Sequence, residues 1–143
     1  MTMRKWVSSI LSSALLTAAL FAGALAVAQE ARAQAATRVF EMRTYTTHDG
    51  KLDDLQARFR NHTVKFFEKH GMTNIGYWVP RDQPNTLVYI LAYPSRDAAT
   101  QAWAGFRKDE GWIAARTASE ANGPIVAKVQ SVFMDPANFS GLK

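Results

Sequence analysis

Glu41, Arg43 and Tyr45 place a carboxylate, a guanidinium and a phenol at alternate positions, so an extended backbone brings all three to one face. An arginine fork can hold a carboxylate in two parallel hydrogen bonds. A buried glutamate becomes a base if burial raises its pKa. Lys128 and Gln130 repeat the same spacing near the C-terminus, and Tyr89 and Tyr93 offer hydroxyls from a third apolar stretch. A mostly apolar pocket with a few convergent polar groups is the usual form of a small-ligand site. Glu41, Arg43, Tyr45, Tyr89, Lys128 and Gln130 are therefore the candidate ligand-binding set. The same side chains fit a structural ion pair, Glu41 with Arg43 or Lys128. No residue is assigned a catalytic role.

Other chemistry is thin. The three histidines, His48, His62 and His70, are scattered. Along a helix His62 and His70 stand about 12 Å apart, too far to share a metal, and none is expected. His62 falls on or beside an apolar helical stripe, where a packed histidine is the simpler expectation than an acid–base or haem-ligating one. Trp78, Trp103 and Trp112 are expected in the core rather than stacked on a ligand. There is no cysteine, which excludes disulfides, thiolate metal sites and cysteine nucleophiles. No G-x-G-x-x-G, H-E-x-x-H or G-x-S-x-G motif occurs, and no cofactor is expected. The net charge is +5 over 143 residues, with two of the cations, Arg4 and Lys5, at the extreme N-terminus. The remaining charges are interspersed, so no nucleic-acid partner is expected.

The elements that must position these residues begin after a leader. Arg4 and Lys5 precede an uncharged apolar run to Ala28, with small residues at Ala26 and Ala28 and again at Ala31 and Ala33. This is the order of an export signal, residues 1–28, cleaved after 28 or 33. It predicts a periplasmic or secreted product with no stable membrane insertion. Residues 29–36 read as a disordered spacer, 37–136 as the folded domain and 137–143 as a tail. Within the domain, Arg38–Thr46 alternates as a strand. Asp49 is expected to cap a helix over Lys51–His70, with Leu52, Leu55, Phe59, His62 and Phe66 on its apolar side. Met72–Val79 and Thr86–Tyr93 read as strands around a proline-containing loop. Ser95 caps a second helix, interrupted at Gly111 and continuing to about Ala121, and Ile125–Met134 is the last strand.

The order βαββαβ with right-handed crossovers gives an α+β, ferredoxin-like fold. It has an antiparallel four-stranded sheet in the order 4-1-3-2 with helices on one face. The third strand is apolar on both faces: Val88, Ile90 and Ala92 on one, Leu87, Tyr89, Leu91 and Tyr93 on the other. A face open to water should alternate with polar residues. A second copy, packed sheet against sheet, is the expected cover, and the candidate site is then expected inside the barrel so formed.

Phe40-Glu41-Met42-Arg43-Thr44-Tyr45-Thr46 resembles the opening strand of the NIPSNAP family. Arg60-Asn61-His62-Thr63, Glu68-Lys69-His70-Gly71-Met72 and Gly76-Tyr77-Trp78 are similar to that family's first helix and second strand. Leu87–Tyr93, Trp103-Ala104-Gly105-Phe106 and Trp112 continue the likeness, which covers roughly Val39 to Pro136. The resemblance implies a dimeric α/β barrel and says little about activity. Animal members are associated with mitochondria, vesicle traffic and mitophagy signalling, roles that an export signal does not share. Three functional readings stand. One is a domain binding a small apolar or carboxylated molecule. Another is a cofactor-independent enzyme of monooxygenase or isomerase type. The third is a purely structural interaction module.

Overall fold

In the computed structural model, residues 38–143 are described, and they form one compact unit. The expected export signal and spacer lie outside the described residues. No helix among the described residues is long and apolar enough to cross a membrane.

Strand β1 (Val39–Thr47) is followed by a helical rod in three segments: α1 (Leu52–Arg58), a π-helical turn (Phe59–Thr63) and α2 (Val64–Lys69). Strands β2 (Thr73–Trp78) and β3 (Thr86–Tyr93) come next, then helices α3 (Arg96–Lys108) and α4 (Glu110–Ser119) and strand β4 (Val126–Met134). The sheet order is β2-β3-β1-β4, antiparallel throughout, as the crossovers require. The fold is the expected α+β, ferredoxin-like arrangement.

Local chemistry explains the boundaries. Gly71, at φ +76°, ends α2 in a Schellman motif. The Gly71 N–H bonds to the Glu68 carbonyl and the Met72 N–H to the Phe67 carbonyl. Ser95 caps α3 by accepting from the Ala98 N–H at 3.1 Å, as expected. Asp49 does not cap α1. The N-cap position is Lys51, without a side-chain bond, and Asp49 instead accepts from the Asn85 amide across the loops. That contact is satisfied before the helix begins, which leaves the cap to backbone alone.

The π-helical turn changes which residues face the sheet. The Val64 N–H donates to the Phe59 carbonyl, five residues back, and the Thr63 hydroxyl donates to the Arg58 carbonyl at 3.3 Å. Buried positions therefore recur every fourth residue at Leu55, Phe59, Thr63 and Phe67. In an unbroken α-helix each such step over-rotates by about 40°, and the wider turn absorbs the drift. His62, expected on or beside the apolar stripe, is exposed instead.

The core lies between the sheet and the helices. Leu87, Tyr89, Leu91 and Tyr93 of β3 meet Leu55, Phe59 and Phe67 of the rod and Trp103 and Phe106 of α3. Trp103 is buried as expected, but Trp78 lies half exposed on the other sheet face. That face carries Phe40, Met42, Thr44, Thr46, Val88 and Ile90, together with Lys128, Gln130, Val132 and Met134.

Candidate functional site

Strand register decides which candidates meet. Glu41, Arg43 and Tyr45 stand opposite Leu91, Tyr89 and Leu87, so all six share the helix-covered face. Lys128 and Gln130 stand opposite Thr46 and Thr44 and share the helix-free face. The six-residue set is therefore split. Glu41, Arg43, Tyr45 and Tyr89 gather between sheet and helices, not on the helix-free face where a barrel interior would lie. Alternation alone shows that residues share a face, but not which face it is.

Glu41 is the centre of the group and is nearly fully buried. Its Oε1 accepts from Arg43 Nη1 at 2.6 Å and from the Ser131 hydroxyl at 2.6 Å. Its Oε2 accepts from the Tyr93 hydroxyl at 2.6 Å and from the Trp103 indole N–H at 2.7 Å. Burial pushes its pKa up. The hydrogen bonds from Ser131, Tyr93 and Trp103 and the charge of Arg43 outweigh that, and the carboxyl is held below its ordinary value. A carboxylate so fully engaged is a poor base. Its place is to fix Arg43 and Trp103.

Arg43 is correspondingly placed. Its guanidinium lies over the Trp103 ring, 4.2 Å from the centroid, and 5.7 Å from that of Tyr45. Burial alone would lower its pKa, but Tyr45, Tyr89 and Glu41 raise it above the ordinary arginine value. Its Nε is buried with no hydrogen-bond partner, as is the Tyr89 hydroxyl. Burial also holds the Tyr89 phenol well above its ordinary pKa, so it stays protonated as a potential donor.

Of these groups, Arg43 and Tyr45 line a cleft of about 370 Å³ between the sheet and the helices, and Glu41 and Tyr89 lie behind them. The rod contributes Arg58, Phe59, Thr63 and Phe67, and α3 contributes Trp103, Phe106 and Arg107. Trp112, Arg116 and Glu120 close it from α4 and its C-terminal end, and Val126, Ala127 and Val129 line it from β4. Lys128 also reaches this rim, but its register turns its side chain to the far face. The walls are a continuous aromatic surface: Phe67 to Phe106 at 5.1 Å and Phe106 to Trp112 at 4.5 Å between ring centroids. Arg58, Arg107, Arg116, Trp112 and Glu120 were not among the sequence candidates. The available signal was an arginine, Arg58, beside Leu55 and Phe59 on an apolar helical stripe.

A second cluster lies outside the cleft. Asp109 caps α4 by accepting from the Trp112 N–H at 3.1 Å, and its other oxygen meets Lys69 at 2.6 Å and His70 Nε2 at 2.9 Å. The bonds from Lys69 and His70 hold its carboxyl well below the usual range. This cluster ties the end of α2 to the junction of α3 and α4.

A four-stranded antiparallel sheet backed by helices on one face, with an aromatic cleft between the layers, defines an α+β, ferredoxin-like domain. The NIPSNAP family profile matches residues 40–141, and the chain belongs to that family. The fold is similar to a NIPSNAP family protein of unknown function from Agrobacterium tumefaciens, with a TM-score of 0.66 and 22% identity over 75% of this chain and 95% of that one. It is also similar to an uncharacterised NIPSNAP-like domain protein from Burkholderia xenovorans, with a TM-score of 0.63 and 17% identity over 72% and 88% of the two chains. SnoaB, a cofactor-independent oxygenase from Streptomyces nogalater, shares the fold at a TM-score of 0.54 and 20% identity over 75% and 99%. No curated protein sequence matches the chain significantly.

Proposed function

We propose that this protein binds a planar aromatic acid in the cleft between its sheet and helices, with Arg43 as the anion anchor. The observation that carries the reading is the placement of Arg43. Glu41 fixes one end of its guanidinium, Trp103 supports its plane, and the cleft beyond is walled with aromatic rings. Four arginines, Arg43, Arg58, Arg107 and Arg116, line the cleft, against Glu120 within it and Glu41 behind Arg43. The excess of positive charge favours an anion, and the walls favour a flat apolar body. This reading puts the site between sheet and helices rather than inside a barrel between two copies.

The test is a titration with 2-naphthoate and its neutral isostere 2-naphthol, read by tryptophan fluorescence. We expect the acid to bind more tightly than the alcohol, and Arg43→Met to erase the difference. Equal binding of the two in the wild type would overturn the reading.

A second reading, a cofactor-independent oxygenase, is supported by the fold likeness to SnoaB. In it the aromatic acid is substrate, and Glu41 serves as a positioning residue rather than a base. Oxygen uptake with aromatic acids bound in the cleft would test it. The helix-free face is proposed to pair with a second copy, and residues 1–28 to direct export.

A further inference from the structure

Arg58 is as buried as the core aromatics, yet it is a cation whose Nε has no partner. Its Nη1 donates to Glu120 Oε1 at 2.9 Å and to the Ser119 hydroxyl at 3.3 Å, and its guanidinium lies 5.7 Å from the centre of the Trp112 ring. All three partners belong to α4 or the residue that ends it. Helix α4 has no fully buried residue of its own, so it lies over the cleft with little apolar anchorage. Arg58 and Trp112 are therefore a large part of what holds it down.

Glu120 is built to let go. Its Oε1 is on Arg58, but its Oε2 is 3.3 Å from the Nε of Arg116, an exposed residue one helical turn earlier. If it left Arg58 it would keep a cationic partner and reach water. Arg58 has no such alternative, because an unpaired cation at its depth carries a heavy desolvation cost. Only another anion can replace Glu120 there. Both Arg58 and Glu120 line the cleft that holds Arg43, while the two arginines have separate polar and ring partners: Glu41, Tyr45 and Trp103 for Arg43, and Trp112, Ser119 and Glu120 for Arg58.

We propose that Arg58 is a second acid-binding point in the cleft, at which Glu120 holds the place a ligand acid takes over, so that the ligand class is a planar aromatic bearing two acidic groups. This rests on the reading of Arg43 as the first anchor. Arg58 then sets specificity, and its exchange of Glu120 for the ligand unlatches the end of α4.

The experiment compares 2-naphthoate, with one acid group, and naphthalene-2,6-dicarboxylate, with two, on the wild type, Glu120→Gln and Arg58→Gln. Removing the competing carboxylate should tighten the diacid at least tenfold in Glu120→Gln and leave the monoacid within twofold. Arg58→Gln should bring the diacid to the affinity of the monoacid. If Glu120→Gln leaves the diacid unchanged, or weakens both probes together, Glu120 is a fixed strut and the proposal is overturned. Because Glu120→Gln changes a group that is partly exposed, that arm stands even if Arg58→Gln fails to fold. The two readings separate cleanly. Binding of the monoacid with no gain for the diacid in Glu120→Gln sinks only the second point, whereas binding of neither probe to any form sinks the Arg43 site with it.

Discussion

The Arg43 guanidinium lies 4.2 Å from the centre of the Trp103 ring, and both groups are hydrogen-bonded to the same carboxylate, Glu41. The cation, the ring and the acid form a closed triangle across β1 and α3. One edge of the guanidinium is thereby committed and its plane is set, which is the preorganisation an anion site needs. Trp103 is both a core residue and the platform of the site.

Arg43→Met keeps an apolar stem of similar girth and removes the guanidinium and its charge. We expect it to weaken 2-naphthoate binding by about 2–5 kcal/mol, the range for removing one partner of a buried charge pair. Arg43→Lys should recover only part of this, because an ammonium cannot reproduce the fork. Calorimetric titration of the three proteins measures the series. Undiminished binding by Arg43→Met would show that the anchor lies elsewhere.

Glu41→Ala leaves Arg43 and three neutral donors facing a cavity. Breaking a buried pair from one side costs about 3–5 kcal/mol. Urea unfolding at neutral pH should show a loss of that order, against a much smaller loss for Ser131→Ala, which removes one donor of the set.

The lowered pKa of Glu41 gives stability a definite pH dependence. The folded state favours the ionised carboxyl, so its contribution is complete above the ordinary value of 4.5 and is lost as pH falls through the lower folded value. Asp109 acts in the same sense. We expect the melting temperature of the wild type to drop below about pH 4.5 more steeply than that of Glu41→Gln. Parallel curves for the two proteins would remove Glu41 from the account.

Val132 is half exposed on the helix-free face, on the edge strand β4 opposite Met42. If a second copy covers that face, light scattering of the wild type at micromolar concentration should give twice the mass of one chain. Val132→Glu should give one chain at the same concentration, with its circular dichroism unchanged. A wild type that stays single at high concentration would exclude the pairing.

The proposed export of the chain is checked by the intact mass of protein recovered from outside the cytoplasm. Loss of residues 1–28 or 1–33 is expected. Recovery with Met1 in place would refute it.

The fold was legible because its signals are local and repeated. Thr86–Tyr93 is so rich in β-formers that its limits agree with the structure at both ends, and Gly71 and Ser95 act through bonds to near neighbours. The site was half legible. Alternation grouped Glu41, Arg43 and Tyr45 correctly, but a period of two has no sign, so the choice of face depended on tertiary packing. Lys128 and Gln130 were grouped with them on sequence spacing but lie on the opposite face. His62 misled because a stripe drawn at 3.6 residues per turn assumes an unbroken helix, and the π-helical turn places Thr63 inward instead. Glu120 and Arg116 carry no periodic signal and meet Arg58 only through the chain's path over the cleft.

The four donors to Glu41 have a bearing on how the chain folds. They come from β1, β3, α3 and β4, and lie 2, 52, 62 and 90 positions from it in sequence. A nascent chain that has made β1, the helical rod and β3 can offer Arg43 and Tyr93 to the carboxylate but not Ser131. The acid cannot be sealed until the last strand docks beside the first. Each donor after Arg43 requires closing a longer loop, and such non-local contacts slow folding. The central carboxylate is thus completed last: a chain lacking β4 can offer it Arg43, Tyr93 and Trp103 but not Ser131, so one of its four donors waits for the final strand.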